Sequence, residues 1–155
     1  FNKEIRMKRE ILCLIAANAT TVLLVQQGVL AQTMPEKPEG YFAHRGTVYA
    51  KAGGTICGFR SPSHLEIYRR SKGGRDLSIS AISTFKNAGV CPVPRAFFDY
   101  KNSGFYSLGD GKFCGFSNPF LQNEYRERFN APLVGKISTD PARFMQYIGI
   151  CQTLS

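Results

Sequence analysis

Two histidines, His44 and His64, are the side chains whose ordinary pKa would let them exchange protons near neutral pH. Ser61 and Ser63 lie beside His64 in the sequence, so a serine nucleophile with a histidine base is one chemistry to consider. No G-x-S-x-G sequence or other nucleophile motif surrounds them. A histidine three residues after a helix cap is typically a surface or half-buried residue. The sequence therefore favours a protein that is not an enzyme, with a small hydrolase using His44 or His64 as an alternative.

The acidic residues do not form a catalytic or metal-binding pattern. Asp99, Asp110, Glu124 and Asp140 fall in different predicted elements, and nothing in the sequence pairs two of them for acid and base catalysis. The run GDGK at 109–112 lacks the spacing of a phosphate-binding loop and the ligand periodicity of an EF-hand. It predicts a tight turn, and we expect neither a metal nor a cofactor.

Tyrosines and arginines that occur twice are the remaining candidate site. Tyr68 and Arg69 are matched later in the chain by Tyr125 and Arg126. Arginine is a bidentate donor to acidic groups, and tyrosine rings can stack on sugars, so these four residues could form two equivalent shallow binding sites. Maintenance of two similar cores explains the same residues, and the sequence favours this second explanation. Both tyrosines are predicted to pack in the core with a polar tip.

The duplication extends well beyond these residues. The stretch ICGFRSPSHLEIYRR at 56–70 is matched by FCGFSNPFLQNEYRE at 113–127. An offset of 57 residues superposes Tyr49 on Tyr106, Gly54 on Gly111, Cys57 on Cys114, Pro62 on Pro119 and Tyr41 on Phe98. Three inserted residues then bring AGVC at 88–91 onto IGIC at 148–151. We interpret the chain as two homologous repeats, at about 35–91 and about 92–151.

Each repeat contains two of the cysteines outside the N-terminal segment. An even number of cysteines in an exported protein indicates disulfides, although four cysteines allow three pairings. Because each repeat would descend from a self-sufficient ancestor, we predict the internal bridges Cys57–Cys91 and Cys114–Cys151. Each bridge closes a loop of about 35 residues and would stabilise the fold by about 4 kcal/mol. The wide spacing, with no histidine near a cysteine, argues against zinc.

Hairpins and helices are predicted at matching places in the two repeats. Glycine-rich turns predict strands at 46–51 with 55–59 and at 104–108 with 112–116. Ser61-Pro62 and Asn118-Pro119 are helix-start signals, a capping side chain followed by proline. Gly73 and Asn130 are the predicted ends of these helices.

The second half of each repeat is predicted to add a strand and a short helix. Segments 77–84 and 133–138 are rich in strand-forming residues. Asp140-Pro141 repeats the helix-start signal, so 141–148 is predicted to be a last helix, with 83–90 as a weaker equivalent. The fold class is therefore α+β, with two hairpin-helix-strand units in one pseudo-twofold, disulfide-stapled domain. The short apolar connection CPVPRAFFDY favours one shared core.

Residues 1–31 have the layout of a secretory leader. Lysines and arginines around Met7 precede the apolar run 11–31, and Val29 and Ala31 occupy the −3 and −1 positions of a cleavage site. Cleavage would make Gln32 the first residue of a mature domain, 32–155, with no remaining membrane span. An uncleaved membrane anchor is the alternative, since about 20 apolar residues can cross a bilayer.

The predicted mature domain is strongly basic. The chain has a net charge of +9, and residues 1–31 hold four of its 20 lysines and arginines and two of its 11 acidic residues, which leaves +7. This charge favours anionic partners such as polysaccharides or envelope polymers. The cations are scattered, so the sequence shows no dedicated nucleic-acid site.

The repeated pattern C-G-F-x-[SN]-P, with a tyrosine six residues after the proline and a closing G-[VI]-C, resembles small exported uncharacterised proteins of cyanobacteria. The resemblance spans nearly the whole mature domain and implies no activity and no functional residue. We expect a secreted or cell-surface protein that binds an anionic polymer or another protein, or plays a structural role. A disulfide-rich inhibitor or effector that inserts segment 71–78 or 129–136 into a target is a further alternative.

Overall fold

Ten strands form two five-stranded mixed sheets in the computed structural model, which describes residues 37–154. The predicted leader, 1–31, lies outside the described residues. Together with two helices and two disulfides, the sheets confirm the α+β class. No helix within residues 37–154 is both long and apolar enough to cross a membrane.

The first sheet contains β1 (Gly40–His44), β2 (Thr47–Ala52), β3 (Thr55–Gly58), β4 (Arg75–Asp76) and β5 (Lys86–Val90). Strands β1, β2 and β3 are antiparallel neighbours. The edge strands β4 and β5 pair in parallel with β1 and β3, which gives the order β4-β1-β2-β3-β5.

The second sheet contains β6 (Ala96–Tyr100), β7 (Ser103–Ser107), β8 (Lys112–Gly115), β9 (Leu133–Lys136) and β10 (Gln146–Ile150). Its order is β9-β6-β7-β8-β10, again with an antiparallel centre and two parallel edge strands. The two sheets therefore share the same order and direction of strands.

Both helices begin where the sequence predicts. Helix α1 spans Pro62–Lys72 and helix α2 spans Pro119–Arg128. Ser61 and Asn118 accept an N–H from the first turn at 3.1 and 2.9 Å, which satisfies a backbone donor that has no partner within the helix. Gly73 follows α1 at a φ of 70°, a conformation in which glycine is not strained.

Most later elements of the repeats differ from the prediction. The strand predicted at 133–138 is present as β9, but 77–84 contains no strand, and the counterpart of β9 is the two-residue β4. The weaker helix predicted at 83–90 is wrong, because residues 86–90 form β5. The predicted last helix, 141–148, is a 3-10 turn at Pro141–Arg143 followed by β10. Strands β1 and β6 were not predicted at all. Strands β5 and β10 depend on tertiary contacts, because they extend where they hydrogen-bond in parallel to β3 and β8.

Both predicted disulfides are present. Cys57 is bonded to Cys91, and Cys114 is bonded to Cys151. Each bridge joins the central hairpin of a sheet to the end of its neighbouring edge strand. The duplication therefore predicted the correct pairing of the four cysteines.

Helix α1 connects the two sheets through two different sides of its surface. Its Tyr68 packs in one core cluster with Tyr41 of the first sheet, whereas its Ile67 packs in another with Phe98 of the second. Helix α2 covers the other face of the second sheet, where Tyr125 packs with residues of β6 and β7. The layers thus follow the order first sheet, α1, second sheet, α2. This order does not confirm a pseudo-twofold arrangement, because α1 lies between two sheets and α2 packs on one.

The turn between β7 and β8 is one residue longer than the turn between β2 and β3, and this changes which residues of the two sheets match. Two residues separate the paired Ala52 and Thr55, whereas three separate Leu108 from Lys112, to which it is hydrogen-bonded. The offset between the sheets is therefore 56 before the turn and 57 after it. Tyr49 matches Phe105 rather than Tyr106, and likewise Tyr41 matches Phe97 rather than Phe98.

Candidate functional site

Tyr68 and Tyr125, two of the four predicted binding residues, lie in the core. They are 1 % and 7 % exposed, and burial raises the pKa of both hydroxyls. The Tyr125 hydroxyl donates to the carbonyl of Gln152 at 2.8 Å. Tyr68 lies edge-on to Tyr41, with 6.3 Å between ring centroids. Their rings therefore support the sheets, as predicted, and are not available as sugar-stacking platforms.

Arg69 and Arg126 are the accessible members of the set. The Arg69 guanidinium lies 4.9 Å from the ring centroid of Tyr41 and 3.1 Å from the carboxylate of Asp76. The Arg126 guanidinium lies 5.9 Å from the ring centroid of Phe97. Tyr41 and Phe97 occupy matching places in β1 and β6, so each sheet holds one arginine over an aromatic ring. The four predicted residues thus form two separate pairs, one on each sheet.

His64 is buried, so its predicted surface or half-buried position is wrong. It is 0 % exposed, stacks on Phe144 at 5.3 Å between ring centroids, and meets the edge of Phe59 at 5.1 Å. Burial lowers the pKa of His64 to about 4; the charge of Arg60 acts in the same direction and the backbone of Cys91 opposes it. His64 is therefore neutral at pH 7 and closed to a substrate in solvent.

The other residues considered for a hydrolase site are Ser61, Ser63 and His44, and the two serines make hydrogen bonds that stabilise the fold. Ser61 caps α1, and the Ser63 hydroxyl accepts the N–H of Thr139 at 2.9 Å. His44 is partly exposed at the end of β1, where it pairs with Thr47. Within residues 37–154 the side chain of His44 has no hydrogen bond that could activate it as a base.

The GDGK run forms a turn. Asp110 accepts the backbone N–H of Lys112 at 3.2 Å, and its other carboxylate oxygen lies 3.5 Å from the Lys112 ammonium. Among the described residues no group of three or more histidines, cysteines or acids could hold a metal ion.

Half of each of the two segments proposed for an inhibitor is regular structure. Segment 71–78 contains the end of α1 and strand β4, and segment 129–136 contains strand β9. Because β4 and β9 are hydrogen-bonded to β1 and β6, neither segment is a free loop.

A cavity of about 370 Å³ lies beside the second sheet and was not predicted. Its walls include Leu108, Phe129, Ile148 and Ile150, together with Arg95. Tyr125, a predicted binding residue, also lines this cavity. Arg95, Leu108, Phe129 and Ile148 lie at positions where the two repeats differ, so the duplication does not indicate them.

Most lysines and arginines of the described residues have no carboxylate partner. Ion pairs with other described residues hold Lys51, Arg69, Arg70 and Lys112. No such pair is formed by Lys37, Arg45, Arg60, Lys72, Arg75, Lys86, Arg95, Lys101, Arg126, Lys136 or Arg143. The basic charge of this part of the chain is therefore not neutralised internally.

In comparisons with known proteins, the chain matches no protein family, no curated protein and no solved structure.

Proposed function

We propose that this protein is a non-enzymatic binding protein of the cell envelope or extracellular space, and that it contacts anionic polymers such as acidic polysaccharides. The observation that carries the proposal is the excess of exposed cations without carboxylate partners. A polyanion releases bound counterions when such cations contact it, which favours association without a deep pocket. The buried and neutral state of His64 supports a role other than hydrolysis.

Arg126 and Arg69 are the proposed centres of contact. Arg126 has no carboxylate partner among the described residues, whereas Arg69 is paired with the exposed Asp76, which a polyanion would displace. Each guanidinium lies over an aromatic ring, so its side chain is partly held in place before binding. A held side chain loses less conformational entropy when it binds a ligand. Tyr68 and Tyr125 contribute indirectly, because they pack in the cores on which the two arginines rest.

The proposed location depends on the leader and the disulfides. Residues 1–31, acting as a cleavable signal peptide, would direct the chain to an oxidising compartment. Two disulfides within the chain are typical of such compartments and rare in the cytosol.

We further infer that the two sheets arose by duplication of one unit. The equal strand order, the matching helix caps and the matching disulfides support this origin. The backbone N–H of Cys91 donates to Gly58, and that of Cys151 donates to the matching Gly115. The order of layers favours units stacked head to tail over units related by a pseudo-twofold axis.

A pair of charge-matched double variants tests the proposal. Arg69→Gln with Arg126→Gln removes the two held arginines, whereas Lys86→Gln with Lys136→Gln removes two other exposed cations. Binding to an immobilised polyuronate at about 150 mM salt, where free surface charges are largely screened, should weaken about tenfold or more in the first variant and by less than about threefold in the second. Equal weakening would contradict a role for the two arginines, and an absence of binding by the unaltered protein would contradict the function itself.

A further inference from the structure

The cavity beside the second sheet combines apolar walls with exposed apolar rims. Leu108 and Phe129 line it, and Ile148 and Ile150 of β10 are 47 % and 49 % exposed at its edge. At about 370 Å³ it falls within the range of small-molecule sites in proteins, which are mainly apolar with a few placed polar groups. An apolar ligand group would cover side chains that are now in contact with water.

One cation faces this cavity without a carboxylate partner. Arg95 donates from Nε to the carbonyl of Leu108 at 3.1 Å, which fixes the side chain on the wall. The carboxylate of Asp110 also lines the cavity, but it is engaged by the backbone and side chain of Lys112. Arg95 also lines a second cavity of about 520 Å³, together with Lys72 and Asp110.

A buried hydroxyl without a partner lies in the same wall. Tyr106 lines the cavity and is 3 % exposed, and its hydroxyl has no hydrogen-bond partner within residues 37–154. Burial raises the pKa of Tyr106, and the charge of Arg95 opposes that rise. Both residues line the same cavity. Buried hydroxyls are normally hydrogen-bonded. Because neighbouring side chains close this hydroxyl off from solvent, it can donate to a ligand only when they shift on binding.

The common architecture of the two sheets does not require these residues. At the positions of the first sheet and α1 that match Arg95, Tyr106, Phe129 and Ile148, the chain has Glu39, Ala50, Lys72 and Ala88 respectively. The first sheet forms without the cation, the hydroxyl and the large apolar side chains. The group in the second sheet therefore has no counterpart that would explain it as part of the shared fold.

We propose that this cavity binds an amphipathic anion, whose apolar body contacts Phe129, Ile148 and Ile150 and whose carboxylate, sulfonate or phosphate group accepts hydrogen bonds from Arg95 and Tyr106. Charge complementarity selects the anion, since Arg95 is the unpaired charge in the cavity. The site is independent of the polymer contacts proposed for Arg69 and Arg126, and either can fail without the other.

The test is a fluorescence titration of the full oxidised chain with 8-anilinonaphthalene-1-sulfonate, an apolar ring system that carries a sulfonate. We expect saturable binding at one site that laurate displaces and that dodecylammonium, with the same apolar chain and opposite charge, does not. Equal displacement by both amphiphiles, or an enhancement that does not saturate, would overturn the proposal.

Three variants separate the site from general charge and from folding. Arg95→Gln should weaken probe binding at least about tenfold, whereas the charge-matched Lys86→Gln should change it by less than about twofold. Tyr106→Phe should weaken probe binding while leaving the urea midpoint unchanged or raised, because the removed hydroxyl has no partner in the fold. Equal effects of Arg95→Gln and Lys86→Gln, or unchanged binding by Tyr106→Phe, would count against the assignment.

Discussion

Replacement of Ile67 by alanine is expected to destabilise both sheets together. Ile67 is fully buried, lies on α1, and packs against the second sheet in a cluster with Phe98, Phe113 and Val134. The substitution removes three carbon atoms, about 2.4 kcal/mol of transfer free energy at 0.8 kcal/mol per group, and leaves a cavity in addition. We expect a loss of about 3–4 kcal/mol in the free energy of unfolding.

Urea unfolding followed by far-ultraviolet circular dichroism and by tyrosine fluorescence measures this loss. The chain has no tryptophan, so its tyrosines, which lie in both sheets, report on the tertiary structure. Glu124 on α2 is 57 residues after Ile67, at the matching helical position, and provides the control. Because Glu124 is only partly buried, Glu124→Ala should change the free energy of unfolding by less than about 0.5 kcal/mol.

The shape of the transition distinguishes a shared core from two independent ones. With α1 packed between the sheets, both probes should shift together to a lower urea midpoint. A loss below about 1 kcal/mol in the free energy of unfolding would refute the placement of α1 between the two sheets. A shift in the urea midpoint of one probe without the other would refute it as well.

Three further substitutions test other parts of the fold by the same unfolding assay. His64 has a pKa of about 4 in the folded protein and an ordinary value of 6.5, so the free energy of unfolding should fall as the pH decreases through this window. Between pH 7 and pH 4.5 the unaltered protein should lose about 2 kcal/mol more than His64→Gln. Equal losses would contradict the burial of a neutral histidine. A Cβ on Gly40 would lie 2.1 Å from a carbonyl oxygen of β4, so Gly40→Ala should lower stability by more than about 2 kcal/mol, whereas Gly54→Ala, in open space, should stay within about 1 kcal/mol. Substitution of Cys114 and Cys151 by serine should lower stability by about 4 kcal/mol, and a loss below about 1 kcal/mol would show that the closed loop contributes little.

Features determined by local sequence could be predicted. Ser61 and Asn118 cap helices because the capping oxygen and the following proline act within one turn of the chain. The glycine turns placed both central hairpins, and the duplication identified the correct cysteine pairs. Each of these inferences used residues that are close in sequence or repeated.

Features determined by distant pairing could not be predicted. Strands β5 and β10 extend only because they pair in parallel with β3 and β8. Strands β1 and β6 are a different case, because the two-residue turns Arg45-Gly46 and Lys101-Asn102 join them to β2 and β7 and were not recognised. The extra residue in the second hairpin turn also moved Tyr106 to the opposite face from Tyr49, since adjacent residues of a strand point to opposite sides. Tyr49 and Tyr41 were consequently matched to the wrong partners, whereas Tyr68 and Tyr125, which follow the turn, still match each other.

The cavity of the second sheet shows a different limit. Ile148 and Arg95 were overlooked because a repeat draws attention to residues that are kept, whereas a site present in one copy consists of residues that differ. The sequence alone aligns Ile148 with Ala88, but Arg95 is matched with Glu39 only when the strand pairing fixes the offset of 56.

The most direct test of the proposed function is the retention of the purified oxidised protein on acidic polysaccharide, peptidoglycan, DNA and anionic vesicles as the salt concentration is raised in steps. We expect retention on acidic polysaccharide to persist near 150 mM salt and to exceed retention on the other three surfaces, because held arginines add directional hydrogen bonds to the general attraction of charge. Release from all four surfaces at the same low salt concentration would show that the positive charge is only a solvated surface, and would contradict the proposal.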